Sequence, residues 1–149
     1  MKALELGALL SACVAVLHVA ILVGGAPAFR YFGAGERMAR MSERGLAMPA
    51  VITVALVIMF AVWAAYALSG AGRLARLPLL RTVLTTIGVT YTLRGLVLVP
   101  QAVLFLRGQH YAVPPRHLVF SAASLIAGLA YLVGVRPLWR FQRPARDLK

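Results

Sequence analysis

Leu80–Leu106 reads LRTVLTTIGVTYTLRGLVLVPQAVLFL, a long apolar run with an arginine at its middle. Roughly 20 apolar residues rising 1.5 Å each cross the hydrocarbon core of a bilayer, so this stretch is long enough to span one. Arg94 lies midway between Arg81 and Arg107, the charges that flank the run. A guanidinium at that depth costs ~3 kcal/mol on insertion scales unless it is paired or hydrated. At about 100° per residue, Thr86, Thr90, Tyr91 and Gln101 fall within roughly 80° of Arg94 around the helix. That polar face is expected to turn toward protein or a wet cavity, and the rest of the chain reads as the helices that shelter it.

The composition agrees. Of 149 residues, 61% are hydrophobic and 13% charged, about half the charged share of a soluble domain; the mean hydropathy is +0.83. A formal charge of +12 would suit a nucleic-acid binder if the basic residues shared one face. They sit instead between apolar runs, where they anchor helices at anionic lipid. The single cysteine, Cys13, excludes an intramolecular disulfide and a multi-cysteine metal site. The excess of arginine over lysine, with abundant Ala, Leu, Gly and Val, has the look of a GC-rich bacterial genome.

The first apolar run is Leu6–Gly24. LSAC at Leu10–Cys13 has the form of a lipoprotein cleavage box, but the apolar stretch before it is short and contains Glu5. Ala26-Pro27-Ala28 has the form of a signal-peptidase site, but the apolar run is longer than a signal peptide needs. The reading is a retained transmembrane helix. Gly25–Ala47 is expected to be a connection, with Glu36–Arg44 as a short interfacial helix whose Met38 and Met41 face the bilayer. In it Glu36 and Arg40 form an i,i+4 pair, and Phe29, Tyr31 and Phe32 supply an aromatic belt. The second span is Met48–Leu68, with an Ala61/Ala65 small-residue pair for close helix approach. The third is Leu80–Leu106, which Pro100 should kink by removing the bond to the Leu96 carbonyl. Pro114-Pro115 ends the next loop. The fourth span, His117–Val135, carries the close-packing pairs Ala123/Ala127 and Ser124/Gly128, and a basic tail follows from Arg136 to Lys149. The larger and less compensated set of Lys and Arg lies on the side of the two termini, which places both in the cytoplasm.

Arg94 is the sharpest chemical signal. It reads either as a planar fork of donors for a headgroup, carboxylate or phosphate, or as a structural residue bonded to helix-end carbonyls or Gln101. Glu5 and Glu36 are its candidate ionic partners. His18, in the first span, reads as a hydrogen-bonding helix contact or as a proton or ligand group near Arg94. Thr82, Thr85 and Thr92 are expected to bond their own helix backbone. Three scattered histidines lack metal-ligand spacing. No phosphate loop, nucleophile elbow or HExxH occurs, so no catalytic residue, metal or cofactor is expected.

HVAILVGG, RYFGAGERMA, YALSGAG with the following LPLLR, and YTLRG together resemble a group of uncharacterised small four-helix bacterial membrane proteins. The resemblance implies a shared fold and a shared site around His18, Glu36 and Arg94, without an activity. ERMARMSERGLAMP, Glu36–Pro49, also resembles, superficially, a signature of the MAPEG family (membrane-associated eicosanoid and glutathione enzymes). Arg40 stands there for the family's histidine, Ser42 for its asparagine and Gly45 for its glutamate. Small multidrug exporters share the four helices, but Glu5 is too near the terminus for their membrane glutamate.

The expected fold is therefore all-α, a four-transmembrane-helix bundle with an interfacial segment between helices 1 and 2. It forms one integral membrane domain over 1–149, with spans at about 6–24, 48–68, 80–106 and 117–135. The expected setting is a bacterial inner membrane, multi-pass. The expected function is a non-enzymatic accessory or ligand- or lipid-binding protein, with a polar pocket built from Arg94, His18, Gln101, Tyr91 and Glu36. A small transporter is the second reading and a MAPEG-like enzyme the third. The expected partners are the lipid bilayer, an anionic ligand or lipid, and a second copy or a membrane subunit; nucleic acid is not among them.

Overall fold

The computed structural model describes residues 2–109 and 114–140. These residues are helical, without a strand: α1 (Lys2–Tyr31), α2 (Glu36–Glu43), α3 (Met48–Gly70), α4 (Leu80–Leu96), α5 (Leu98–Leu106) and α6 (Pro115–Arg140). Four segments are long and apolar enough to cross a membrane: α1, α3, the α4–α5 pair and α6. Many large apolar side chains on them point outward, among them Val16, Val23, Val51, Ile58, Val99 and Val119. In water such a surface would drive association; in lipid it is the solvated face.

Residues sort into two compact units, Met1–Leu10 with Ala65–Lys149, and Ser11–Ala64. The first unit is organised by α4 and α6. An added Cβ on Gly95 would lie 2.5 Å from the backbone N and Cα of Leu125, and one on Gly128 would meet the backbone and hydroxyl of Thr92. One on Gly88 would meet Leu132 and Tyr131. These pairings descend along α4 as they ascend along α6, so the helices are antiparallel. At the glycines they pack backbone to backbone, the approach that small residues permit. The Tyr131 ring is fully buried, lies against Gly7 and stacks on Tyr91 with centroids 5.9 Å apart. Leu4 fills the space beside Gly70 and Gly134. Ser69 organises the turn after α3: its hydroxyl donates to the Ala75 carbonyl (2.8 Å) and accepts from the Leu77 N–H (3.1 Å).

In the second unit α1 does not stop at Gly24. Gly25 adopts φ 61°, ψ −146°, a conformation open to glycine alone among the residues. The helix restarts beyond it, with Pro27 near the new start, where a missing N–H costs nothing. The restarted segment runs to Tyr31, so the connection expected over 25–47 is largely helical. Gly33 (φ 84°) then turns the chain, with Ala34 N–H donating to the Phe29 carbonyl at 2.9 Å. This bend lays α2 back on the end of α1. Ala39, Phe29, Ala26 and Ile21 form a small core, with Met38 and Phe32 packed against it. Phe29 is therefore interior rather than part of an aromatic belt, and Met38 packs on protein. No added Cβ at Gly25 would meet another atom, so the effect of Gly25→Ala is backbone strain alone. It is expected to cost about 1–2 kcal/mol, read as a lowered unfolding midpoint in detergent; an unchanged midpoint would rule out the break.

The kink expected at Pro100 is present, and one further boundary differs from expectation. The third span breaks at Val97, one turn before Pro100, because proline lacks the N–H that would bond Leu96 and its ring crowds that carbonyl. The next bond, Gln101 N–H to the Val97 carbonyl, is stretched to 3.3 Å. At the other end, α6 continues through Pro137 to Arg140 rather than fraying at Arg136. Proline removes one bond, and contacts just beyond it offset the loss: Leu138 reaches toward Gly70 and Trp139 donates to the Thr85 hydroxyl at 3.3 Å. His110, Arg143, Arg146 and Lys149 lie outside the described residues.

Candidate functional site

Arg94 is exposed on α4 near the middle of the Leu80–Leu106 span. Among the described residues, one of its five N–H donors is engaged: Nη1 donates to the Ser121 hydroxyl at 3.1 Å. Ser121 is fully buried and in turn donates to Gln101 Oε1 at 2.7 Å. The three side chains form a relay across α4, α5 and α6. The Arg94 Cα is ~18 Å of helix rise from the α5 end at Leu106, whereas Ser121 is only ~9 Å from the α6 start at Pro115. The side chain thus carries its charge toward the end of the span that leads into the 107–114 connection. Such snorkelling reduces the cost of the charge without abolishing it.

Tyr91, one turn before Arg94 on α4, is buried and stacks on Tyr131. The flanking threonines are turned inward on their own helix. Thr85 donates to the Arg81 carbonyl, Thr90 to that of Thr86 and Thr92 to that of Gly88, all within 2.9 Å. The structure thus brings Arg94, Gln101 and Tyr91 into one unit. Sequence reasoning missed Ser121, which joins the first two; a lone serine in an apolar span is most often bonded to its own helix, as Ser124 is to the Phe120 carbonyl.

His18 and Glu36 belong to the other unit, with partners there. His18 Nδ1 donates to the Val14 carbonyl one turn back at 2.8 Å, and its ring lies 5.1 Å from that of Phe60. Glu36 is the centre of an exposed ion cluster. Arg30 binds it with two parallel bonds, Nε to Oε2 at 2.8 Å and Nη2 to Oε1 at 3.0 Å. The same guanidinium reaches Glu43 Oε1 through Nη1 at 2.7 Å, and Arg40 Nε reaches Glu36 Oε1 at 3.0 Å. Arg30 therefore clips both ends of α2 to the end of α1. The other candidate acid, Glu5, pairs with Arg73 at 2.8 Å. Every carboxylate among the described residues is thus engaged by Arg30, Arg40 or Arg73, and none by Arg94.

The clip is a pH-dependent element. Hydrogen bonds from Arg30 and then Arg40 hold the Glu36 carboxyl down at about 2, below its ordinary 4.5, and the bond from Arg30 lowers Glu43. A depressed carboxylate contributes its full stabilisation above the unfolded value and loses it as pH falls through the folded one. Hydrogen exchange of the α2 amides, corrected for intrinsic rate, is expected to show protection above pH 4.5 that disappears toward pH 2. Arg30→Gln is expected to lose much of that protection throughout. An α2 equally protected at both pH extremes would show that its apolar contacts suffice.

Among the described residues, no group of three metal-ligating side chains comes together. Comparison with known proteins adds no relationship: no protein-family model, curated protein or solved structure matches the chain.

Proposed function

We propose that this integral membrane protein is a non-enzymatic binding protein that receives an anionic group on Arg94, within the bilayer and near the 107–114 end of the span. One observation carries the reading. Among the described residues, a guanidinium placed in a membrane span has a single hydrogen bond, to a neutral serine, while the acids are committed elsewhere. Membrane arginines pair with acids or backbone carbonyls or face a water-filled cavity, and the planar fork of Arg94 keeps its other donors for a bidentate acceptor. Ser121 and Gln101 fix its direction. The reading includes a multi-pass placement in a bacterial inner membrane with both termini cytoplasmic, supported by the Lys and Arg bias of the connections.

Arginine-selective labelling with phenylglyoxal tests occupancy. Arg94 is expected to label several-fold faster in protein stripped of lipid by detergent than in nanodiscs assembled directly from cell membranes. Arg37, exposed on α2 and outside the four spans, is expected to label equally in both. Equal Arg94 rates in the two preparations would remove the proposed occupant.

A further inference from the structure

A second basic site lies in the first unit, at the opposite end of α4 from Arg94. Arg76, Leu79, Leu80, Arg81, Thr82, Leu138 and Trp139 line an open groove of about 420 Å³. Trp139 closes the α6 span and Leu80 opens the α4 span, so the groove sits at the level of a membrane surface. The Arg81 guanidinium carbon lies 5.9 Å from the centroid of the Trp139 ring. The indole is held by its bond to Thr85. A guanidinium over an aromatic face keeps its in-plane N–H donors free for a phosphate. Neither Arg76 nor Arg81 has a carboxylate partner among the described residues, and Glu5 of the same unit is taken by Arg73.

A second groove, of about 290 Å³, shares Thr82 and Trp139 with the first and continues down α4 past Thr85, Thr86, Val89 and Thr90. Its wall is almost wholly apolar despite four threonines. Thr85 and Thr90 spend their hydroxyls on helix carbonyls, leaving their methyl groups to form the surface. A basic mouth at the membrane surface that leads into an apolar trough along a spanning helix matches the two ends of a phospholipid.

We infer that Arg76, Arg81 and Trp139 form a specific site for an anionic phospholipid. Its phosphate sits between the two guanidinia and one acyl chain lies in the threonine-lined trough. The site is separate from Arg94 and does not depend on it.

Trp63→Phe leaves Trp139 as the sole tryptophan and thus as a reporter. In nanodiscs of phosphatidylcholine with a minor fraction of acyl-brominated lipid, brominated phosphatidylglycerol is expected to quench Trp139 several-fold more than brominated phosphatidylcholine at equal fraction. Arg76→Gln, at an exposed residue outside the core, is expected to reduce that preference, and Arg76→Gln with Arg81→Gln to abolish it. Arg94→Gln is expected to leave it intact. Equal quenching by the two lipids, or a preference that survives the double substitution, would overturn the site. So would displacement of the lipid by inorganic phosphate, because the trough would then contribute nothing.

Discussion

Gly95→Ala and Gly128→Ala are each expected to destabilise the protein by about 3 kcal/mol, the upper end of what overpacking a well-fitted interior costs. The reason is what the added carbon would meet. At Gly95 it would lie 2.5 Å from the N and Cα of Leu125, and at Gly128 it would strike the backbone of Thr92. Side chains yield by rotating; a helix backbone yields only by moving the whole helix. Either substitution must therefore push α4 and α6 apart along their length, loosening the buried Tyr91–Tyr131 stack as well. The two glycines serve one crossing, so the double variant is expected to cost less than the sum of the singles, the first having already opened the gap. Ala123→Leu, at an exposed position of the same helix, is expected to stay within about 0.5 kcal/mol of wild type. Denaturant titration in mixed micelles measures all four, and wild-type stability in the glycine variants would refute the backbone contact.

The second large effect has the opposite sign. Arg94→Leu removes a charge that costs ~3 kcal/mol to place in a span and gives up one hydrogen bond worth about 1 kcal/mol. The Ser121–Gln101 bond does not involve the arginine and survives. The variant is expected to be about 2 kcal/mol more stable than wild type when the Arg94 site is empty, and to have lost the ability to hold an anionic group. Arg94→Lys keeps the charge without the planar fork and is expected to retain the stability of wild type while binding more weakly. A leucine variant several kcal/mol less stable than wild type would make Arg94 a structural residue, its bond to Ser121 the reason for its presence. A residue that weakens the fold and is still present points to function.

The spans were legible because hydropathy over about 20 residues is nearly independent of tertiary context. The same scale-free signal places Arg94 at a midpoint. What eluded sequence reasoning depends on pairing across helices. The small-residue pairs singled out on span two and span four follow the familiar four-residue spacing. Gly128 of those pairs does sit at the crossing, against Thr92, but on α4 the crossing uses Gly88 and Gly95, seven residues apart, against Leu132 and Leu125. Glu36 read as a candidate for Arg94 because it follows the first span and could fold back through the Gly33–Gly35 bend; that bend instead brings residues 30, 36 and 43 together, and Arg30 claims Glu36. Trp139 stood in what read as a polar tail beyond Pro137, a residue normally taken to end a helix. Its bond to Thr85 shows the helix continuing there, and with it the basic groove.

The most direct test of the account is to weigh what Arg94 holds. Wild type and Arg94→Gln would be extracted into nanodiscs from the same membranes and measured by native mass spectrometry. One stoichiometric adduct of an anionic compound is expected on wild type, absent from Arg94→Gln while the remaining lipid pattern is unchanged. Identical adduct patterns on the two proteins would contradict it and leave Arg94 a structural donor to Ser121.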